Sequence, residues 1–95
     1  MAPEHKVLLV DSIKEYLTIA PGDTLLDIGG AGGFITIELA PLVKRIMLTD
    51  INKHLVERAR TNTRHLGNVD VCVDDAVDMS NVHGIYNKVL MYGVS

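Results

Sequence analysis

The run Leu25-Leu26-Asp27-Ile28-Gly29-Gly30-Ala31-Gly32-Gly33-Phe34-Ile35-Thr36-Ile37-Glu38-Leu39 decides the fold. An apolar segment carries a carboxylate near its end. A glycine-dense loop follows, and a segment with Ile35 and Leu39 at i, i+4 begins at once. Strand, tight loop and helix in that order form the opening unit of an α/β sheet that takes its ligand at the loop. Four of the five residues 29–33 are glycine. Glycine reaches left-handed backbone conformations and lets main chain approach a ligand where a Cβ would intrude. An ordinary strand-to-helix turn has no need of four, so ligand binding has the stronger physical warrant.

Working outward, the spacing of Val10, Ile13 and Leu17 predicts a helix from about Pro3 to Thr18, with Pro3 in its first turn. Ala20-Pro21-Gly22-Asp23 reads as a turn. Thr24 to Ile28 is a first strand, apolar enough on both faces to be covered on each side. A helix from Gly33 to about Ala40 follows, then a second strand from Arg45 to Thr49 that stops at Asp50. Asn52 caps a helix to about Leu66, with Leu55, Ala59 and Leu66 as its inner stripe and Gly67 as its stop. Val69 to Val73 is a third strand, 77–84 a loop, and Tyr86 to Tyr92 a fourth strand. Strands alternating with helices imply right-handed crossovers and a parallel sheet.

The glycine spacing narrows the ligand. A dinucleotide fingerprint needs Gly-x-Gly-x-x-Gly. From Gly29 the third position is Ala31 and the sixth Phe34; from Gly30 the sixth is Ile35. Asp27, Gly29, Ala31 and Gly33 instead fit Asp-x-Gly-x-Gly-x-Gly with its middle glycine replaced. At these residues the chain resembles the class I S-adenosyl-L-methionine-dependent methyltransferases. The resemblance implies a Rossmann-like parallel sheet of about four strands in the order 3-2-1-4, with flanking helices. An NAD(P)-binding oxidoreductase domain is the rival that the failed spacing disfavours. A fragment without catalysis, serving as a partner subunit, is the other alternative.

In that order the first three strands end in a row of carboxylates: Asp27, Asp50 and Asp74-Asp75. Strands lie about 4.8 Å apart, so Asp75 stands two strands, roughly 10 Å, from Asp27. That is about the length of an adenosine unit. The resemblance implies a role for each. Asp50 accepts both ribose hydroxyls; Ile51 packs on the adenine face; Asp75 accepts from the adenine amino group, and the Ala76 backbone N–H meets the ring. Gly29, Gly30, Ala31 and Gly33 cradle the methionyl part, Asp27 orients the loop or a bridging water, and Tyr92 lies beside that part of the cofactor. A carboxylate-lined pocket without nearby Lys or Arg suits a cationic cofactor better than a pyrophosphate. Asp70, Asp74 and Asp78 read as solvated. The fourth strand, Tyr86-Asn87-Lys88-Val89-Leu90, carries Asn87 where the family usually has Asp.

Composition bounds the rest. Ninety-five residues make one domain over 1–95. Four strands where the family has seven give the expectation of a truncated methyltransferase domain, ending before the substrate-binding part. With net charge −3 and scattered Lys and Arg there is no basic footprint for nucleic acid, so a small-molecule methyl acceptor is expected. Asp11 interrupts the apolar run Val7–Val10, leaving no signal core or membrane span. The lone Cys72 suits a reducing cytoplasm and reads as a buried, inert thiol. His54 and His65 lie too far apart for one metal ion, and no metal site or catalytic residue is readable. Val89-Leu90-Met91 on an edge strand predicts self-association through the fourth strand.

Overall fold

The computed structural model describes residues 3–74 and 86–91, with side chains from residue 9 onward. In chain order the elements are α1 (Pro3–Leu17), β1 (Thr24–Ile28), α2 (Phe34–Leu39) running into a 3-10 turn (Ala40–Leu42), β2 (Arg45–Asp50), α3 (Lys53–Thr63), β3 (Val69–Val73) and β4 (Lys88–Leu90). The four strands form one parallel sheet in the order β3-β2-β1-β4, as the resemblance implied.

Register places the core. Leu25 lies beside Ile46, and Asp27 beside Leu48. Side chains two apart share a face, so Leu25, Asp27, Ile46, Leu48 and Asp50 all point to one side. Val10 and Ile13 of α1 and Leu39 of α2 close on Leu25 and Ile46 there, joined by Ala40 and Val43. On the other face Leu26 and Met47 are half-buried and Val89 is 48% exposed. Ile28 and Thr49 on that face are nevertheless buried, so the expectation that β1 is covered on both sides holds fully for the first side and in part for the second.

One helix end falls where expected and one does not. α1 stops through Thr18, whose φ of 52° is left-handed. The Thr18 N–H donates to the Glu15 carbonyl and the Ile19 N–H to the Lys14 carbonyl, a Schellman closure built without glycine. α3 ends at Thr63, short of Leu66, and Gly67 does not adopt a left-handed conformation. Its buried stripe is Val56, Ala59 and Thr63 rather than Leu55, Ala59 and Leu66. Thr63 tolerates burial because its hydroxyl donates to the Ala59 carbonyl at 2.7 Å. The fourth strand pairs over Lys88–Leu90 only, and Tyr92 lies outside the described residues.

Candidate functional site

The loop between β1 and α2 is built from left-handed residues. Gly29 has φ 74°, Ala31 52° and Gly33 85°. Two of these are glycines for conformational reasons. Ala31 adopts the same region with a Cβ, at a cost of about 1 kcal/mol or more. Gly30 is different. A Cβ there would lie 2.7 Å from Leu48 Cγ and 2.9 Å from Asp27 Oδ2. Packing onto the sheet demands that glycine.

The end of β2 holds the loop. The Gly29 and Gly30 N–H groups both donate to the Thr49 carbonyl, at 2.8 and 3.0 Å. The Ala31 N–H donates to Asp50 Oδ2 at 3.0 Å, and Asp50 Oδ1 accepts from the Asn52 N–H at 2.9 Å. Asn52 caps α3, accepting from the His54 and Leu55 N–H groups. One carboxylate thus ties the glycine loop to the start of α3. Asp50 is 8% exposed, and Ile51, immediately after it, is 67% exposed.

Asp27 is more deeply placed, at 2% exposed, and its Oδ2 accepts from the Thr36 hydroxyl of α2 at 2.6 Å. Burial pushes its pKa up to about 6; the Thr36 bond lowers it and the neighbouring Asp50 raises it further. Among the described residues no Lys or Arg hydrogen-bonds to either carboxylate. The expectation that no basic residue is near needs correction, however. Arg58 Cδ of α3 would lie 3.6 Å from a Cβ on Gly32, so its aliphatic stem flanks the loop.

Of the residues expected at the site, Asp27, Gly29, Gly30, Ala31, Gly33, Asp50 and Ile51 converge on this end of the sheet. Asp75, Ala76 and Tyr92 lie outside the described residues, as does Asp78. Asp70 is exposed and pairs with Arg45. Asp74, expected in solvent, is 7% exposed, and its N–H extends the β2–β3 ladder to the Asp50 carbonyl at 3.0 Å. Cys72 is half-buried rather than buried, and burial together with Asp74 pushes its thiol pKa up, away from the reactive thiolate. His54 and His65 are exposed. No group of three or more His, Cys, Asp or Glu among the described residues can hold a metal ion. None of the described helices is long and apolar enough to cross a membrane.

Sequence reasoning missed a second cluster, at the opposite end of β1. Asp23, 5% exposed, accepts from Lys88 Nζ at 2.7 Å, Asn87 Nδ2 at 2.8 Å and the Ala20 N–H at 2.8 Å. Lys88 also donates to the Thr18 carbonyl. Asn87 closes the set by accepting from the Thr24 N–H at 2.7 Å. The Lys88 and Asn87 bonds hold the Asp23 carboxyl down at about 2. An Asp at 87 would face Asp23 with a second carboxylate, which accounts for the amide in its place. Asn87 itself was the available signal, a departure from the family pattern that asks for an acidic neighbour.

Comparison with known proteins agrees with this fold. An rRNA methyltransferase of Streptomyces thermotolerans is 33% identical over 73 residues, covering 74% of this chain and 24% of its own length. A protein-L-isoaspartate O-methyltransferase of Nitrobacter winogradskyi is 27% identical over 85 residues, covering 87% and 39%. The chain thus spans about a quarter to two-fifths of these relatives. The crystal structure of a coclaurine N-methyltransferase bound to N-methylheliamine and SAH superposes with a TM-score of 0.78 at 21% identity, over 90% of this chain and 26% of that one. The methyltransferase-domain family matches residues 19–94, from the turn before β1 to the residues beyond β4, and the chain belongs to that family.

Proposed function

We propose that the chain is the cofactor-binding part of an S-adenosylmethionine-dependent methyltransferase and that Asp50 holds the ribose diol of the cofactor. The observation that carries this is the Asp50 carboxylate at the junction of glycine loop, β2 and α3. Each of its oxygens accepts one backbone N–H, from Ala31 and from Asn52. A carboxylate offers about four lone-pair sites, so one remains on each oxygen for a pair of vicinal hydroxyls. Ile51 stands exposed beside it as an apolar surface for a base. The glycine loop supplies main chain on the other side. These features fit the adenosyl group, and the coclaurine N-methyltransferase of the same fold was crystallised with SAH.

When bound, the cofactor supplies a methyl group on a sulfonium that departs as a neutral thioether. The chain's residues bind and orient it. Asp50 fixes the ribose, the loop backbone at Gly29–Gly33 fixes the methionyl end, and Asp27 braces the loop from beneath through Thr36. Asp75, Ala76 and Tyr92 keep the roles implied by the family pattern. A small-molecule acceptor remains the proposal, on the ground that the chain as a whole is acidic, with net charge −3.

Titration calorimetry with S-adenosylhomocysteine tests the reading. Asp50→Ala removes two charge-assisted hydrogen bonds, so affinity falls tens- to several-hundred-fold, about 2–4 kcal/mol. Equal affinity in a folded Asp50→Ala chain, or tighter binding of NADH than of S-adenosylhomocysteine by the wild type, contradicts it.

A further inference from the structure

We infer that Asn62 of α3 is a positioning residue for the glycine loop, and that its side-chain amide sets how tightly the loop holds an adenosyl ligand. The inference rests on the cofactor reading above. Asn62 Nδ2 donates to the Gly32 carbonyl at 3.0 Å.

The loop needs such a tether because its left-handed residues leave it outside any regular ladder. Its first half is fixed from β2, through Thr49 and Asp50. Its second half rests on α3. Residues four apart on a helix share a face, and α3 offers two such pairs to the loop. Ala59 and Thr63 lie beneath Gly33: a Cβ there would be 3.6 Å from Ala59 Cβ and 3.2 Å from Thr63 Cγ2. Arg58 and Asn62 flank Gly32, the first by its stem and the second by its hydrogen bond. Three of these contacts are van der Waals packing and tolerate sliding. The Gly32–Gly33 peptide has two directional bonds: its N–H donates within the loop to the Gly30 carbonyl at 3.1 Å, and its carbonyl accepts from Asn62, the bond that ties it to α3.

A merely structural hydrogen bond and a positioning one make different predictions. Asn62 is only half-buried, so water can replace its amide at the carbonyl and global stability barely changes. Loop placement changes regardless, and binding geometry is sensitive to displacements on the order of 1 Å.

The test uses the 95-residue chain with Asn62→Ala and Asn62→Asp. The second keeps the shape, loses the donor and sets a carboxylate against a carbonyl. The expected result is a fall in S-adenosylhomocysteine affinity of about five- to twenty-fold, larger for Asn62→Asp. Tm should move by a few degrees at most. In the ligand-free chain, hydrogen exchange should quicken at Gly32–Phe34 and stay unchanged at Leu25–Asp27. Affinity within twofold of wild type in both variants overturns the inference. So does exchange that quickens equally along β1 and α3, since that is general destabilisation. If the wild-type chain fails to bind S-adenosylhomocysteine, the cofactor reading falls, while the ligand-free exchange comparison still decides whether Asn62 tethers the loop.

Discussion

Asp23 and Asp27 stand four residues apart, one just before β1 and one within it, and both are buried. Their environments are opposite. Asp23 meets an ammonium, an amide and a backbone N–H, and its pKa is drawn down to about 2. Asp27 meets one hydroxyl and a second carboxylate, and burial drives its pKa up to about 6. The difference separates two tasks. At the amino end of the sheet the chain neutralises its own acid and so adds an anchor to β4, a strand of three residues paired with β1. At the carboxyl end it gathers two acids with no cation bonded to them among the described residues. Such an arrangement costs stability, and it is where a cationic ligand gains most.

The strongest way to break the comparison is Asp23→Ala. It strips Lys88 of its counter-ion and Asn87 of its acceptor, and its fall in Tm should exceed that of every other substitution proposed for this chain. Hydrogen exchange should quicken first at Val89 and Leu90. A Tm within two degrees of wild type, read against the usual 4–8 °C per kcal/mol, would mean that the cluster does not anchor β4.

The pH dependence sharpens the contrast, because the two acids have opposite signs. Asp27 binds its proton more tightly in the folded chain, with pKa about 6 against an ordinary 3.8. Its contribution is therefore most favourable below pH 3.8 and declines as pH rises through 6, by roughly 3 kcal/mol for two pKa units. Asp23 is depressed, so its contribution is present above the ordinary value and is lost as pH falls toward 2. Asp27→Asn keeps an acceptor for Thr36 and should be more stable than wild type at pH 7 by about 1–3 kcal/mol. The advantage should vanish near pH 4. Thermal melts of both chains from pH 4 to 7 check this; parallel curves would refute the raised pKa.

The smallest expected effect is at Ala31. With φ at 52°, Ala31→Gly relieves left-handed strain, partly offset by the entropy of the more flexible unfolded chain. The net gain is about 0.5–1 kcal/mol, with ligand affinity equal or tighter. Ala31→Val should do the reverse, since β-branching crowds the turn. Paired melts and titrations of the two variants check the sign; tolerance of valine would mean that the loop does not need this geometry.

The elements were readable where pattern and chemistry are local. Apolar runs marked the strands, the glycine cluster marked the loop, and Asn52 announced the start of α3. Strand order came from the family resemblance, since periodicity carries no lateral information. The end of α3 was misread because Leu66 and Gly67 look like a last contact and a stop, whereas Thr63 buries itself by bonding back to Ala59. The Asp23 cluster escaped because its partners lie 64 and 65 residues away. Asn62 was illegible for the same reason: its partner is the Gly32 carbonyl, 30 residues away, and no spacing rule marks a backbone acceptor in a loop.

Amide chemical-shift mapping during titration with S-adenosylhomocysteine tests the contrast between the two ends most directly, because one spectrum reports both. Large shifts are expected at Gly29–Gly33 and at Asp50–Ile51. Negligible shifts are expected at Asp23, Thr24, Asn87 and Lys88. Shifts concentrated at the Asp23 end, or a loop that stays silent while ligand binds elsewhere, would contradict the division of the sheet into an anchoring end and a binding end.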